Sequence, residues 1–159
     1  MKKFFSNLFP REFYNQPQYF RALVLAVLFV ALAVLQLFTY EKFYGIVRAF
    51  NLPGGDVVAY AVAGLLPLLE VMALPFLISM VLPPIVRKIS MIAMLAGTSL
   101  WLLISLWINV NWYVGIETGL MGATLSTMNG IWFVAFCMLW VWACVLVARE
   151  LPARKQKTV

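Results

Sequence analysis

The residue with the most chemistry to offer is Glu70, in the stretch Leu66-Pro67-Leu68-Leu69-Glu70-Val71. It stands inside an apolar run, Ala59 to Leu82, that is long enough to cross a bilayer. A lone ionisable group at that depth costs on the order of a few kcal/mol on insertion scales. Pro67 lies three residues before it and Pro75 five after it. Each proline removes a backbone donor and loosens the helix. A plain anchor needs none of the three, so Glu70, Pro67 and Pro75 are the candidates for an intramembrane function. One reading makes Glu70 a proton or cation site, or an anchor for a ligand in the bundle. The other is structural: a protonated Glu70 bonded to a backbone carbonyl freed by Pro75, or to a hydroxyl such as Ser105 or Thr98. No Lys or Arg shares its depth, so an intramembrane ion pair would need Arg48 to fold inward.

Other chemistry is thin. The chain has no histidine, which removes His-ligated haem, His-based zinc or copper sites and His-dependent triads. Cys137 and Cys144 are seven apart in one apolar helix, about 10 Å by helical rise. A disulfide needs Cα atoms within roughly 7 Å, so these two do not bridge each other and read as small buried apolar residues. No phosphate-binding loop, metal-ligand spacing or carboxylate pair within a span occurs, so no catalytic or metal-binding residue is named. Trp101 and Trp140 lie deeper than an interface belt. They either pack in the core or present a flat ligand or partner surface, such as a quinone pocket, although no cofactor is predicted.

These residues must be positioned by membrane helices. Hydrophobic residues make up 64% of the chain and charged ones 11%, against about 25% charged in ordinary soluble domains. A net charge of +6 in such a chain signals topology rather than a nucleic-acid partner, because the charges sit at helix ends. The expected architecture is an all-α bundle of four transmembrane helices in residues 21–149. A basic, aromatic segment (1–20) precedes it in the headgroup layer, and a basic tail (150–159) follows. The spans are Ala22 to Phe38, Val57 to Leu82, Ile89 to Ile108 and Ile131 to Ala148. Gln36, near the outer end of the first, is expected to reach water, with a bond to another helix as the alternative. Between the first two spans, Phe43, Val47 and Phe50 recur at helical spacing opposite Glu41, Lys42 and Arg48. That predicts a short amphipathic outer helix stopping near Asn51, before a Leu52-Pro53-Gly54-Gly55 turn. Asp56 is expected to cap the next helix. Pro83-Pro84 should end the second span, leaving Ile85-Val86-Arg87-Lys88 as a tight inner loop. Ala93 and Gly97, four apart in the third span, are candidates for close helix packing. Residues 109–129 are too apolar for a free loop and should fold onto the bundle or extend the fourth helix.

Apart from Lys42 and Arg48, every Lys and Arg falls at the amino end (Lys2, Lys3, Arg11, Arg21), in the inner connection (Arg87, Lys88) or at the carboxyl end (Arg149, Arg154, Lys155, Lys157). That bias predicts a multi-pass protein with both termini in the cytoplasm.

The order of features, Arg21 before the first span, Tyr40-Glu41-Lys42-Phe43 with Val47 and Phe50, the Leu52-Pro53 turn and Leu66-Pro67-Leu68-Leu69-Glu70, resembles the DoxX-like superfamily, most closely its MauE branch. The resemblance covers about Arg21 to Ser105 and puts Pro67 and Glu70 at that family's Pro-x-x-Glu positions. It implies a four-helix protein tied to membrane redox chemistry, either a subunit of a quinone-linked oxidoreductase or a maturation factor for periplasmic redox enzymes. The MauE branch often carries a cysteine motif after the third helix. Residues 109–129 have none, which sets the thiol-exchange role aside. The combined expectation is a small accessory subunit of a redox-linked complex in a bacterial inner membrane, touching lipid and other membrane subunits and not itself the catalyst. The alternatives are a proton- or ion-coupled carrier using Glu70, or a quinone- or lipid-binding subunit.

Overall fold

The computed structural model describes residues 16–80, 82–111, 116–124 and 129–151. Most of the amino-terminal segment, Trp112 and Tyr113 (expected from the sequence to mark the outer interface), and the tail from 152 onward lie outside the described residues. Among the described residues five helices follow in order: α1 (Pro17–Phe38), α2 (Tyr40–Ala49), α3 (Gly55–Leu77), α4 (Pro84–Val110) and α5 (Ile131–Glu150). All except α2 are long and apolar enough to cross a membrane, so this is a small, all-α, multi-pass integral membrane protein.

The four long helices pack as a ring: α1 on α3, α3 on α4, α4 on α5, and α5 back on α1 along the slightest of the four seams. α1 and α3 each turn inward a stripe rich in small residues that carries one strongly polar side chain. On α1 the stripe is Ala22, Ala26, Phe29, Ala33 and Gln36; on α3 it is Ala59, Ala63, Leu66, Glu70 and Ala73. Valines and leucines such as Val27, Val34, Leu68 and Leu103 face outward. Helices in lipid gain little from hiding apolar side chains from one another, so small residues that let backbones approach decide which face goes inside.

The first span is stepped rather than followed by a loose connection. Thr39 breaks the helix, and α2 continues beside the first turns of α3. Tyr44 meets Tyr60 edge-to-face and Arg48 pairs with Asp56 at 2.7 Å, so the two run antiparallel in register. The apolar side of α2, Phe43, Val47 and Phe50, is fully buried, as its spacing predicts. Trp107 at the far end of α4 donates to the Phe50 carbonyl at 3.2 Å and pins the end of α2.

Three boundaries differ from expectation. Asp56 is inside α3 and caps nothing; the residue before the helix is Gly54, and the Asp56 carboxylate is taken by Arg48, which stays exposed. The second span ends at Leu77, well before Pro83, because Ser79 adopts a left-handed conformation (φ 52°). Met80 N–H then bonds the Pro75 carbonyl and Ser79 N–H the Phe76 carbonyl, the closing pair of a Schellman turn. Finally, residues 85–88 are not a loop. They form the first turn of α4, which Pro84 opens at a position where its missing N–H costs nothing.

At one end of the bundle, Arg21 near the start of α1 holds Glu150 at the end of α5 at 2.9 Å. Arg87 in the first turn of α4 donates to the Leu151 carbonyl at 2.7 Å. The start of α1 and the end of α5 therefore share one end of the bundle. At the other end, residues 116–124 fold onto the bundle. Thr39 Oγ1 donates to Leu35 O and accepts from Ala123 N–H, at 2.8 and 3.0 Å. Gly122 (φ 62°) lies so close that an added Cβ would fall 2.5 Å from the Leu35 carbonyl oxygen, so only glycine fits.

Candidate functional site

Glu70 is fully buried at the junction of α1, α3 and α4. Side chains on a helix lean toward its N-terminus. On antiparallel helices, Gln36 therefore leans back down α1 while Glu70 leans the opposite way along α3, and they meet. Gln36 Nε2 donates to Glu70 Oε1 at 3.1 Å. Trp101 Nε1, from α4, donates to the same oxygen at 3.1 Å. The second N–H of Gln36 goes to the Leu120 carbonyl at 3.1 Å. One carboxyl oxygen thus ties three helices, and through Gln36 the folded connection as well. Glu70 Oε2 and Gln36 Oε1 are buried without a partner among the described residues.

The structural partners expected for Glu70 are not the ones it has. Thr98 Oγ1 bonds back to the Met94 and Leu95 carbonyls and Ser105 Oγ to the Leu102 carbonyl, all on their own helix. On their other sides these hydroxyls meet the thiols of α5, Ser105 with Cys137 and Thr98 with Cys144. Both cysteines are free and buried. Beside Pro75, Ser90 on α4 reaches the backbone of α3. Phe76 N–H donates to Ser90 Oγ at 3.0 Å, and that hydroxyl donates to the Met72 carbonyl at 2.6 Å. The hydroxyl thus links two backbone groups of α3 one turn apart, next to Pro75, whose missing N–H removes the rung to the Val71 carbonyl. Pro67 is buried on the same side of α3 as Glu70, one turn earlier.

The remaining sequence candidates fall around this centre. Ala93 is buried on the inner stripe of α4. An added Cβ on Gly97 would sit 3.4 Å from Leu69 Cβ, so α3 and α4 are in contact beside Glu70. Trp101 is wholly enclosed, edge-on to Phe133 and tilted against Phe43. Trp140 packs edge-on against Phe29, and its Nε1 has no partner among the described residues. Neither indole presents a face to the outside. Among the described residues, the tryptophans that do are Trp132 and Trp142. Arg48 does not fold inward.

Gln36 is the residue that sequence reading placed wrongly. It does not reach water; it is fully buried. The signal was available: it falls in register with Ala22, Ala26, Phe29 and Ala33, opposite the exposed Val27, Val30 and Val34. A polar residue on the small-residue stripe of a span belongs to the interior. The Leu120 carbonyl carries no such signal, because backbone atoms look alike in every sequence.

Chemically, the cluster is a carboxyl held by two neutral N–H donors, with no cation beside it among the described residues. Glu70, Gln36 and Trp101 line none of three clefts on the bundle, which lie between α1 and α5, beneath Leu52 between α3 and α4, and around the step at Thr39. No protein-family model, no curated protein and no solved structure matches this chain.

Proposed function

We propose that this chain is a small, non-catalytic accessory subunit of a larger, redox-linked membrane complex, seated in a bacterial inner membrane with both termini in the cytoplasm. The observation that carries the reading is the closure of the polar centre. Glu70, Gln36 and Trp101 have no exposed surface, and their hydrogen bonds end inside the bundle. An acid that handles substrate needs a path to it, whereas this one holds the protein's own elements together. What is left open is the outside. The outward stripe Trp132, Phe136 and Leu139 on α5 is covered by none of the described residues and is the surface offered to a partner. The orientation rests on Arg21, Arg87, Lys88 and Arg149, which belong to the end of the bundle where α1 starts and α5 finishes. The redox link rests on the DoxX-like, MauE-branch resemblance of Pro67-Leu68-Leu69-Glu70.

The test is purification from native membranes in mild detergent. A stoichiometric membrane partner should accompany the protein and be lost in Trp132→Ala with Leu139→Ala, while the melting of the isolated bundle stays unchanged. A protein that emerges alone, or a partner indifferent to both substitutions, contradicts the reading.

A second reading is favoured by the two unpartnered oxygens, Glu70 Oε2 and Gln36 Oε1. A proton resident on Oε2 would supply the donor that the pair lacks, as in a proton-coupled carrier. That reading requires proton flux in liposomes that Glu70→Gln abolishes; absence of flux in the unaltered protein removes it.

A further inference from the structure

The seam between α1 and α5 is open at the basic end of the bundle. It forms a cleft of about 500 Å³ with walls of Val24 and Leu25 on one side and Ala143 and Val147 on the other, within the volume range of sites for small ligands. Arg21 stands at its mouth and Trp142 along its length. Two features set this cleft apart from an ordinary lipid-facing furrow. The first is the state of Arg21. Both of its bonds to Glu150 leave from Nη1, at 3.1 and 2.9 Å, and the side chain is 52% exposed. Its Nε and Nη2 edge has no partner among the described residues, and a guanidinium edge of that kind matches two oxygens of a phosphate. The second is Trp142. Tryptophan favours the membrane–water interface. Trp142 lies eight residues before Glu150, about 12 Å deeper by helical rise, yet it is 61% exposed.

From these we infer that the α1–α5 cleft is a binding site for one anionic phospholipid of the inner leaflet, its phosphate on the free edge of Arg21 and an acyl chain along Val24, Ala143 and Val147 against the Trp142 ring. Charge complementarity selects this occupant. Arg21, Arg87, Lys88 and Arg149 belong to that end of the described structure, and Glu150 is the carboxylate among them. A second transmembrane helix fits less well. It is about 10 Å across with its side chains and approaches closely only over a run of small residues, of which this cleft offers Ala143 alone. The inference does not depend on the accessory-subunit reading, which concerns the outer half of α5.

The test is quenching of tryptophan fluorescence in reconstituted bilayers containing a minority of brominated lipid, either phosphatidylglycerol or phosphatidylcholine. Brominated phosphatidylglycerol should quench more than brominated phosphatidylcholine, and the excess should vanish in Trp142→Phe, which removes the reporter. Arg21→Gln should weaken the preference roughly fivefold, the scale of one basic residue at an anionic surface. Glu150→Gln separates the two ways in which that could happen. It breaks the same ion pair but leaves the guanidinium, so the preference should persist or rise. Equal quenching by both lipids reduces the cleft to ordinary boundary lipid and overturns the inference. So does a preference that survives Arg21→Gln, or one that Glu150→Gln abolishes along with it. Quenching of Trp142 by neither lipid would mean that protein covers the cleft, and overturns it equally.

Discussion

Glu70 resolves a conflict between two costs. A carboxyl in a hydrocarbon environment must be bonded, and a bonded carboxyl inside a bundle constrains every helix that bonds it. Here one oxygen accepts from Gln36 and Trp101, both inside the bundle. Trp101→Phe keeps most of the apolar packing but removes one of those donors. It should lower stability by about 1–2 kcal/mol, the scale of an interhelical polar contact in a membrane protein, read from unfolding in mixed micelles. Glu70 itself was legible as an interior group from its depth and its two prolines. Its partners were not. Hydroxyls such as Ser105 and Thr98 are the obvious candidates when only residue types are known, but each can satisfy itself on its own helix one turn back, and both do. Gln36 and Trp101 have longer side chains whose N–H groups cannot easily be satisfied at home, which is the physical reason that they cross to Glu70.

At the scale of elements, α3 has a proline close to its end and a left-handed residue just past it. Next to Pro75, the Ser90 hydroxyl joins Phe76 N–H to the Met72 carbonyl. Ser90→Ala removes both of these interhelical bonds and should cost about 1–2 kcal/mol, the scale of an interhelical polar contact in a membrane protein. Hydrogen exchange at Phe76 should quicken in parallel. The left-handed residue is Ser79, a serine where glycine is the usual occupant. Ser79→Gly removes that strain and should raise stability by roughly 1 kcal/mol, seen as a higher melting temperature. The same residue explains why the end of the second span was not legible. Helix stops are read from Gly and Pro, so the prolines at 83 and 84 drew the boundary past a turn that serine had already closed. By contrast, α2 was legible because Phe43, Val47 and Phe50 repeat at helical spacing against a charged face, a pattern that needs no tertiary information.

For the whole molecule, the four apolar spans could be read directly, since length and hydropathy decide membrane crossing almost independently of context. The order of packing around the ring could not, because it depends on which stripe of small residues each helix turns inward. Across the slight α1–α5 seam, Arg21 and Glu150 pair although they are far apart in sequence. Orientation is testable by single cysteines introduced at Arg21 and at Asn51 in a background lacking Cys137 and Cys144. In intact cells a membrane-impermeant thiol reagent should label the Asn51 position and spare the Arg21 position; the reverse pattern would invert the protein. The most direct measurement for the central claim, that the buried acid serves the bundle and its assembly rather than chemistry, is partner recovery in native purification of Glu70→Gln beside Glu70→Leu. Glutamine keeps an acceptor oxygen for Gln36 and Trp101, so its partner yield should match that of the unaltered protein. Leucine strands both donors, and its yield should fall together with the stability of the bundle. Full recovery with leucine, or loss with glutamine despite an intact fold, would contradict the claim.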